Sequence, residues 1–388
     1  MPSLSKTAAH VIVIGAGSTG SAIAHDLALR GLRVRVLERG GVASGTTGHN
    51  QAQLHSGARY VVTDQEGARE CIQENLVLRR IMPEGLELND GLFVALTEEQ
   101  LAYRSAFLER CAACGIPARE IPVADARRRE PRLNPRILAA IQIPDGVFDP
   151  YRLCRSFLAT AQHHGAEVRT FTEVVGLEPG RGAVKALDRR TGKLETLEAE
   201  IIVNAAGPWA DRIAAMAGVA VEVEPSAGAM VTVSGRLCHM VLNLLAPPDD
   251  GDIIVPQRQS CILGTTSWPV TDPDRIDIPP DHPETIMTVA EQLLPEVRQT
   301  PVRGVMAAAR PLLVVPGAGG RATTRGFACY DHASEGASRL VSIVGGKTTT
   351  ARLMAEKLSD LVCLKLGVSA ECRTRTEPLL SHRTLALP

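Results

Sequence analysis

Short, continuous apolar runs alternate with amphipathic stretches along this chain. Val11-Ile12-Val13-Ile14 is one such run, the pattern of a strand covered on both faces. It enters Gly15-Ala16-Gly17-Ser18-Thr19-Gly20, after which Ala22, Ile23, Leu27 and Leu29 mark a helix that Gly31 stops. Val34 to Leu37 predicts a second strand, closed by Glu38, which completes a βαβ unit. Thr63 with Glu66 has the spacing of a capping box and predicts a helix that Pro83 ends. Helices are expected over 97–114 and 151–164, and a strand over 137–143. Two strands around 183–197 flank the turn Arg190-Thr191-Gly192-Lys193, and Ile201-Ile202-Val203 reads as a separate buried strand. From 219 to 330 the pattern shifts to short strands (221–233, 252–256, 260–265, 302–315) with proline-rich connections. Leu340 to Val344 restores the buried pattern, meets Gly345-Gly346-Lys347, and leads into a helix stopped by Gly367.

The buried-strand segments lie at both ends and in the middle. A discontinuous α/β domain (8–88, 145–218, 326–372) is therefore expected, with an inserted, mainly antiparallel β-rich domain (89–144, 219–325) and a C-terminal tail (373–388). Composition narrows the functional classes. Lys+Arg is 42 and Asp+Glu is 43, a net charge of −1, which removes the electrostatic case for nucleic-acid binding. Hydrophobic residues at 45% exclude a disordered chain, and aromatic residues at 3% call for an aliphatic core. No apolar run approaches the ~18 residues of a membrane span, so membrane contact is expected to be peripheral at most, on the inner face. Nine scattered cysteines and an N-terminus that enters a strand by Val11 predict a reducing, cytoplasmic setting. Cys111-x-x-Cys114 is a single pair that cannot complete a zinc site, and no metal-ligand cluster stands out.

Gly15-x-Gly17-x-x-Gly20 lies where a strand hands over to a helix, the context that gives this motif meaning. Gly15 permits the tight turn, Gly17 lets the backbone approach a pyrophosphate, and Gly20 lets the helix pack closely on the strand. The helix N-terminus offers N–H groups and partial positive charge. Glu38 ends the second strand, where a carboxylate accepts ribose hydroxyls and repels a 2′-phosphate. A second Gly-Gly turn at the far end of the chain, with Lys347 beside it, favours FAD over NAD.

The text Ala43-Ser44-Gly45-Thr46-Thr47-Gly48-His49-Asn50, then Leu54-His55-Ser56-Gly57-Ala58-Arg59-Tyr60, resembles the flavin loop of FAD-dependent glycerol-3-phosphate dehydrogenases, nearest to the catalytic subunits of the anaerobic bacterial enzymes. Asn89-x-Gly91-Leu92-Phe93, Pro144-Asp145-Gly146, Val203-Asn204-Ala205-Ala206-Gly207, Gly264-Thr265-Thr266, Arg310-Pro311-Leu312 and Gly345-Gly346-Lys347 continue the resemblance across most of 9–367. It implies the D-amino-acid oxidase-like (glutathione reductase type 2) architecture of the superfamily that also holds glycine oxidases. It implies FAD contacts from Gly15, Gly17, Ser18, Thr19, Gly20, Glu38 and Arg39. Ser44, Thr46, Thr47, Asn50 and Gln53 match the pyrophosphate and flavin loop. Val174 matches the adenine position, Ala205 and Gly207 the pyrophosphate side, and Gly345, Gly346, Lys347 and Thr348 the turn at the flavin ring. Arg59, Arg310, Arg325 and Lys347 match a cationic substrate pocket, with His55 and Tyr60 beside it.

The activity so implied is oxidation of a small anionic secondary alcohol, foremost glycerol 3-phosphate to dihydroxyacetone phosphate, by hydride transfer to flavin N5. His55 is the expected base, and a quinone or a partner subunit the expected electron acceptor. Two other readings stay open: an oxidase or dehydrogenase of an amino acid, amine or 2-hydroxy acid, and a flavoprotein subunit of an electron-transfer complex. The chain departs from the family pattern at Thr348 (usually Leu), Ala351 (usually Tyr) and Ala307-Ala308-Ala309 (often Ser-Gly-Val). The relatives' cysteine-bearing C-terminal extension has no counterpart within these 388 residues.

Overall fold

The computed structural model describes residues 9–82, 84–314 and 326–387. The elements that build the site are β1 (Ala9–Ile14), α1 (Ser18–Leu29), β2 (Val34–Leu37), α2 (Gln65–Ile81), β3 (Leu194–Asn204), β4 (Val223–Ser234), β5 (Val302–Leu313), β6 (Leu340–Gly345) and α3 (Ala351–Leu366). β1 lies centrally in an eight-stranded sheet, parallel to β2 (Val13↔Val36) on one side and to β3 (Val13↔Val203) on the other. β6 extends the sheet parallel to β3. Their near-continuous apolar sequence is the consequence: both faces are covered. Val11 and Val13 pack with Leu27, Phe157 and Leu358 on one face, and Ile12 and Ile14 pack with Val184, Ile202 and Ala210 on the other.

The expected hairpin strand near 197 and the expected separate strand at 201–203 are one element, β3. Its first half runs antiparallel to Ala183–Asp188, and its second half runs parallel to β1 and β6. The intervening Glu198-Ala199-Glu200 contains no turn residue, so nothing interrupts the extended backbone. The expected capping box is also corrected. α2 starts at Gln65, and its N-cap is Asp64, whose carboxylate accepts from the Gly67 N–H at 2.9 Å.

Strands from 91–95, 119–121, 139–143 and 223–313 form a second, nine-stranded sheet. β4 is its hub: it pairs antiparallel with β5 from Val223↔Leu313 to Val233↔Val302, and with Ser260–Gly264 on the other side. A helix missed in the sequence, His282–Leu293, packs Ile286, Met287, Ala290 and Leu293 onto this sheet. Its helical apolar spacing and Pro283 in the first turn were the available signals. Residues 379–387 pack against the first core through Leu379 and Leu385, and the Leu379 N–H donates to the Ile81 carbonyl at 2.8 Å.

Candidate functional site

The C-terminal ends of β1, β2, β3 and β6 all feed loops into one region, the place where open α/β sheets bind ligands. There a cavity of 1260 Å³ runs between the two sheets, lined from both. Gly15 has φ +106° and lies so close to the β3 loop that a Cβ would stand 2.7 Å from the Ala205 carbonyl oxygen. Gly345 at the end of β6 is likewise left-handed, and a Cβ there would stand 2.4 Å from the Gly326 carbonyl oxygen. Both turns therefore require glycine, and both turn into the cavity.

One end of the cavity is lined by Glu38, Arg39 and Val174, with Ala205 and Gly207 along the adjoining wall. Glu38 is buried and accepts from the Ala16 N–H and the Gly40 N–H, each at 2.8 Å. One acid thus ties the glycine loop at Ala16 to the turn at Gly40 after β2, and each oxygen keeps a further lone pair for a ligand. Midway, Gly17, Ser18 and Thr19 open α1, whose N-terminus carries no side-chain cap. Ser44, Thr46 and Thr47 lie opposite, and the Thr47 hydroxyl accepts from the Ser18 N–H at 3.0 Å. The Thr46 hydroxyl donates to the Ala309 carbonyl at 2.6 Å and ties this loop to β5. Gly20 does not line the cavity; a Cβ on it would stand 2.0 Å from the Gly15 carbonyl oxygen, so its smallness serves helix–strand packing.

At the other end, Asn50 donates to Thr348 Oγ1 at 3.2 Å and to the Thr47 carbonyl at 2.8 Å, joining the early loop to the Gly345–Thr348 turn. Lys347 is not within a helical turn; it is the N-cap of a short 3₁₀ turn that precedes α3, and its Nζ stands 4.9 Å from the Tyr60 ring centre. The His55 ring lies 5.6 Å from that of Tyr60, and the His55 N–H donates to Thr349 Oγ1 at 3.2 Å. Arg310 reaches in from β5: Nη2 donates to Thr265 Oγ1 at 2.7 Å and to the Thr266 carbonyl at 3.2 Å, and Nη1 donates to the Ala227 carbonyl at 3.1 Å. Arg59 also lines the cavity, but it is already matched, with Nη1 donating to Asp252 Oδ2 at 2.6 Å. Burial works against its charge, yet Asp252 more than offsets this and holds the guanidinium protonated more firmly than usual. Gln53 lines the same end and donates to the buried Asp145 at 2.7 Å. Arg325 lies outside the described residues.

Sequence reasoning missed four contributors. Gly228 on β4 lies under the Arg310 guanidinium; a glycine inside a strand signals a close approach of this kind. Asp252 pairs with Arg59 across 193 residues. Trp209 lines the cavity with the Arg39 guanidinium 4.2 Å from its ring centre. Finally, a strap carrying Asp272 and Asp274 crosses from the second sheet: Asp274 accepts from Arg39 at 2.8 Å and from Arg212 at 2.7 Å, and Asp272 accepts from Arg212 at 2.7 Å. Nothing in its proline-rich sequence marks that reach.

The residues present fit a flavin dinucleotide. A helix N-terminus whose N-cap residue is glycine and three hydroxyl residues face each other midway, where a pyrophosphate needs donors. A carboxylate lies at one end, and a glycine turn with a cation at the other. Among the described residues no group of three or more His, Cys, Asp or Glu could hold a metal ion, and no helix is long and apolar enough to cross a membrane.

The model of the family described as FAD dependent oxidoreductase matches residues 10–352. The chain is 43% identical over 396 residues to the anaerobic glycerol-3-phosphate dehydrogenase subunit A1 of Haloferax volcanii, a match covering 96% of this chain and 67% of that protein. The fold is similar to that of glycine oxidase from Geobacillus kaustophilus (TM-score 0.74, 22% identity, 96% of this chain and 98% of that one). It is also similar to glycerol-3-phosphate dehydrogenase from Bacillus halodurans complexed with FAD (TM-score 0.72, 23% identity, 97% and 68%). These two likenesses show the architecture: a discontinuous Rossmann-like fold with an inserted β-rich domain.

Proposed function

Because the chain belongs to the FAD dependent oxidoreductase family and is an FAD-dependent oxidoreductase of the glycerol-3-phosphate dehydrogenase type, we propose that it oxidises a small anionic secondary alcohol, with glycerol 3-phosphate first among candidates. One observation carries this reading. Arg310 from the second sheet and Lys347 from the first line the same cavity as His55 and Tyr60, with Lys347 Nζ 4.9 Å from the Tyr60 ring centre. Two cations delivered by different sheets to one pocket match a phosphate or carboxylate better than a neutral substrate.

Oxidation of a secondary alcohol removes the hydroxyl proton together with the C–H hydrogen and its electron pair, and bound FAD is the acceptor of that pair. The chain's own residues do the rest. Gly15, Gly17, Ser18, Thr19, Glu38, Arg39, Ser44, Thr46, Thr47, Asn50, Gln53, Val174, Ala205, Gly207, Gly345, Gly346 and Thr348 hold the cofactor, and Gly20 lets the helix that opens on it pack closely. Arg310 grips the anion with a planar fork already oriented by Thr265, Thr266 and Ala227. Lys347 supplies the second positive charge. Arg59 spends its charge on Asp252 and contributes hydrogen-bond donors to the wall. His55 takes the hydroxyl proton, and Tyr60 sets the position of its ring. Orientation of this kind is worth several kcal/mol of the barrier. Electrons would then leave to a quinone or a partner subunit; that the Haloferax relative is itself named as a subunit supports the latter.

The test is anaerobic bleaching of the yellow, FAD-loaded protein by a panel of polyol phosphates, 2-hydroxy acids, amino acids and amines. Bleaching by glycerol 3-phosphate that Arg310→Ala abolishes supports the reading. Bleaching by amino or hydroxy acids alone, or by glycerol 3-phosphate regardless of Arg310, rejects it.

A further inference from the structure

We propose that Asp145 is a positioning residue for the reaction: its buried carboxylate fixes the loop that carries His55. The inference rests on the role given to His55 above. Asp145 sits at the start of the turn before Gly146–Phe148, touches neither end of the cavity, and is 2% exposed.

Its two oxygens act on both sides of His55. Oδ1 accepts from the Ser56 N–H at 2.7 Å, the peptide immediately after His55, and Oδ2 accepts from Gln53 Nε2 at 2.7 Å, two residues before it. The Ser56 side chain also favours the charged form of the carboxylate. The His55 peptide itself is held from two other elements. Its N–H donates to Thr349, and its carbonyl accepts from Asn75 Nδ2 at 3.2 Å on α2. Asn75 also donates to the Leu54 and Pro144 carbonyls, and Arg79 donates to the carbonyls of Pro144 and Asp145. The loop preceding His55, the turn at Asp145 and α2 therefore form one hydrogen-bonded block. Asp145 is its only carboxylate bonded to the His55 loop among the described residues.

The donors to this carboxylate are neutral: a peptide N–H, a hydroxyl and an amide. Arg79 acts on it through space from α2. Burial pushes Asp145 up, these donors and Arg79 pull it back only in part, and the net value is about 6. The other titratable groups facing it are thiols, Cys71 on α2 and Cys111 on the helix Glu98–Ala113. Around His55 stand Lys347, Tyr60 and Arg59. A charged acceptor with neutral donors holds a loop firmly only while ionised, so proton uptake by Asp145 slackens the seat of His55.

The experiment uses the FAD-loaded protein and anaerobic stopped-flow bleaching with glycerol 3-phosphate from about pH 5 to about pH 9. Asp145→Asn keeps the shape and removes the charge. It is expected to slow bleaching at saturating substrate by roughly tenfold near pH 7.5, with half-saturation changed less than about twofold. Its acid limb should move to lower pH. Ser56→Ala keeps the peptide N–H, removes one donor, and should move the limb to higher pH. Opposite displacements by two mild variants are not the signature of a general loosening of the fold. An unmoved limb in both variants, or a change in half-saturation alone, overturns the proposal. His55→Asn serves as the reference. If it bleaches normally, the assignment of His55 fails; if it is dead while Asp145→Asn and Ser56→Ala behave as wild type, only the role of Asp145 fails. Should Asp145→Asn not retain FAD, Ser56→Ala alone decides.

Discussion

Gly228 and Arg310 fit together as floor and fork: a Cβ on Gly228 would stand 2.1 Å from Arg310 Nη2 and 2.6 Å from its Cζ. The two residues lie on paired strands, β4 and β5, with Arg310 directly opposite Ser226. The guanidinium thus lies flat over bare backbone. Gly228→Ala would push aside the end of a flexible side chain, not the strand. We expect its half-saturation by glycerol 3-phosphate to rise roughly tenfold, about 1.4 kcal/mol, with a thermal midpoint close to wild type. Anaerobic titration and calorimetry check the two halves.

The Arg59–Asp252 pair makes an opposite claim about stability. Their side chains are 9% and 3% exposed, so removing one partner strands the other charge. Asp252→Ala is expected to cost about 3–5 kcal/mol of folding free energy, whereas replacing both partners by apolar residues costs much less. Urea unfolding of the single and double variants measures the difference as a coupling energy.

Glu38→Gln should loosen the cofactor without moving the fold. A carboxamide has one acceptor atom where Glu38 uses two, so either Ala16 or Gly40 loses its partner. A lost buried bond of this kind costs about 1–3 kcal/mol, so FAD affinity should fall by tenfold or more, read from the fluorescence of released flavin.

The strap contributes through exposed ion pairs, and salt screens such pairs. Raising salt to about 1 M is expected to speed FAD release from the wild type. Asp272→Asn with Asp274→Asn should release FAD faster at low salt and lose most of the salt dependence. Equal release rates for both proteins at all salt concentrations would leave the strap no part in retention.

Asp145 also shapes stability against pH. Its folded value is about 6, against 3.8 for an ordinary aspartate. Between these values the native state holds a proton that the unfolded chain has given up. Stability therefore falls as pH rises through this window, and the cost is complete above about pH 6. The gap corresponds to a cost on the order of 3 kcal/mol. Guanidinium unfolding of Asp145→Asn between about pH 4 and about pH 7 should show a flatter slope than wild type.

The part of the site that was legible in the sequence is the part built locally. Gly15, Gly17 and Glu38 lie within one βαβ stretch, where spacing alone brings them together. The Gly345–Lys347 turn was legible because a buried strand points at it. What escaped depends on distance along the chain. Asp252 neutralises Arg59 across the insertion, and Asp274 reaches Arg39 across 235 residues. No local pattern encodes such pairings. β3 escaped for a different reason: a strand that changes partners midway shows alternation in one half and a continuous apolar run in the other, and so resembles two strands.

The position of β6 late in the chain sets an order of assembly. β1 and β2 come within the first forty residues, yet β3's far neighbour and the turn that carries Lys347 arrive only after the whole second sheet has been made. A nascent chain released before residue 345 would hold most of the cleft lining but not the Gly345–Thr348 turn that closes its far end. Cofactor capture that needs this turn must wait for nearly the whole chain, and shorter chains would present an open cleft to chaperones instead of a loaded enzyme.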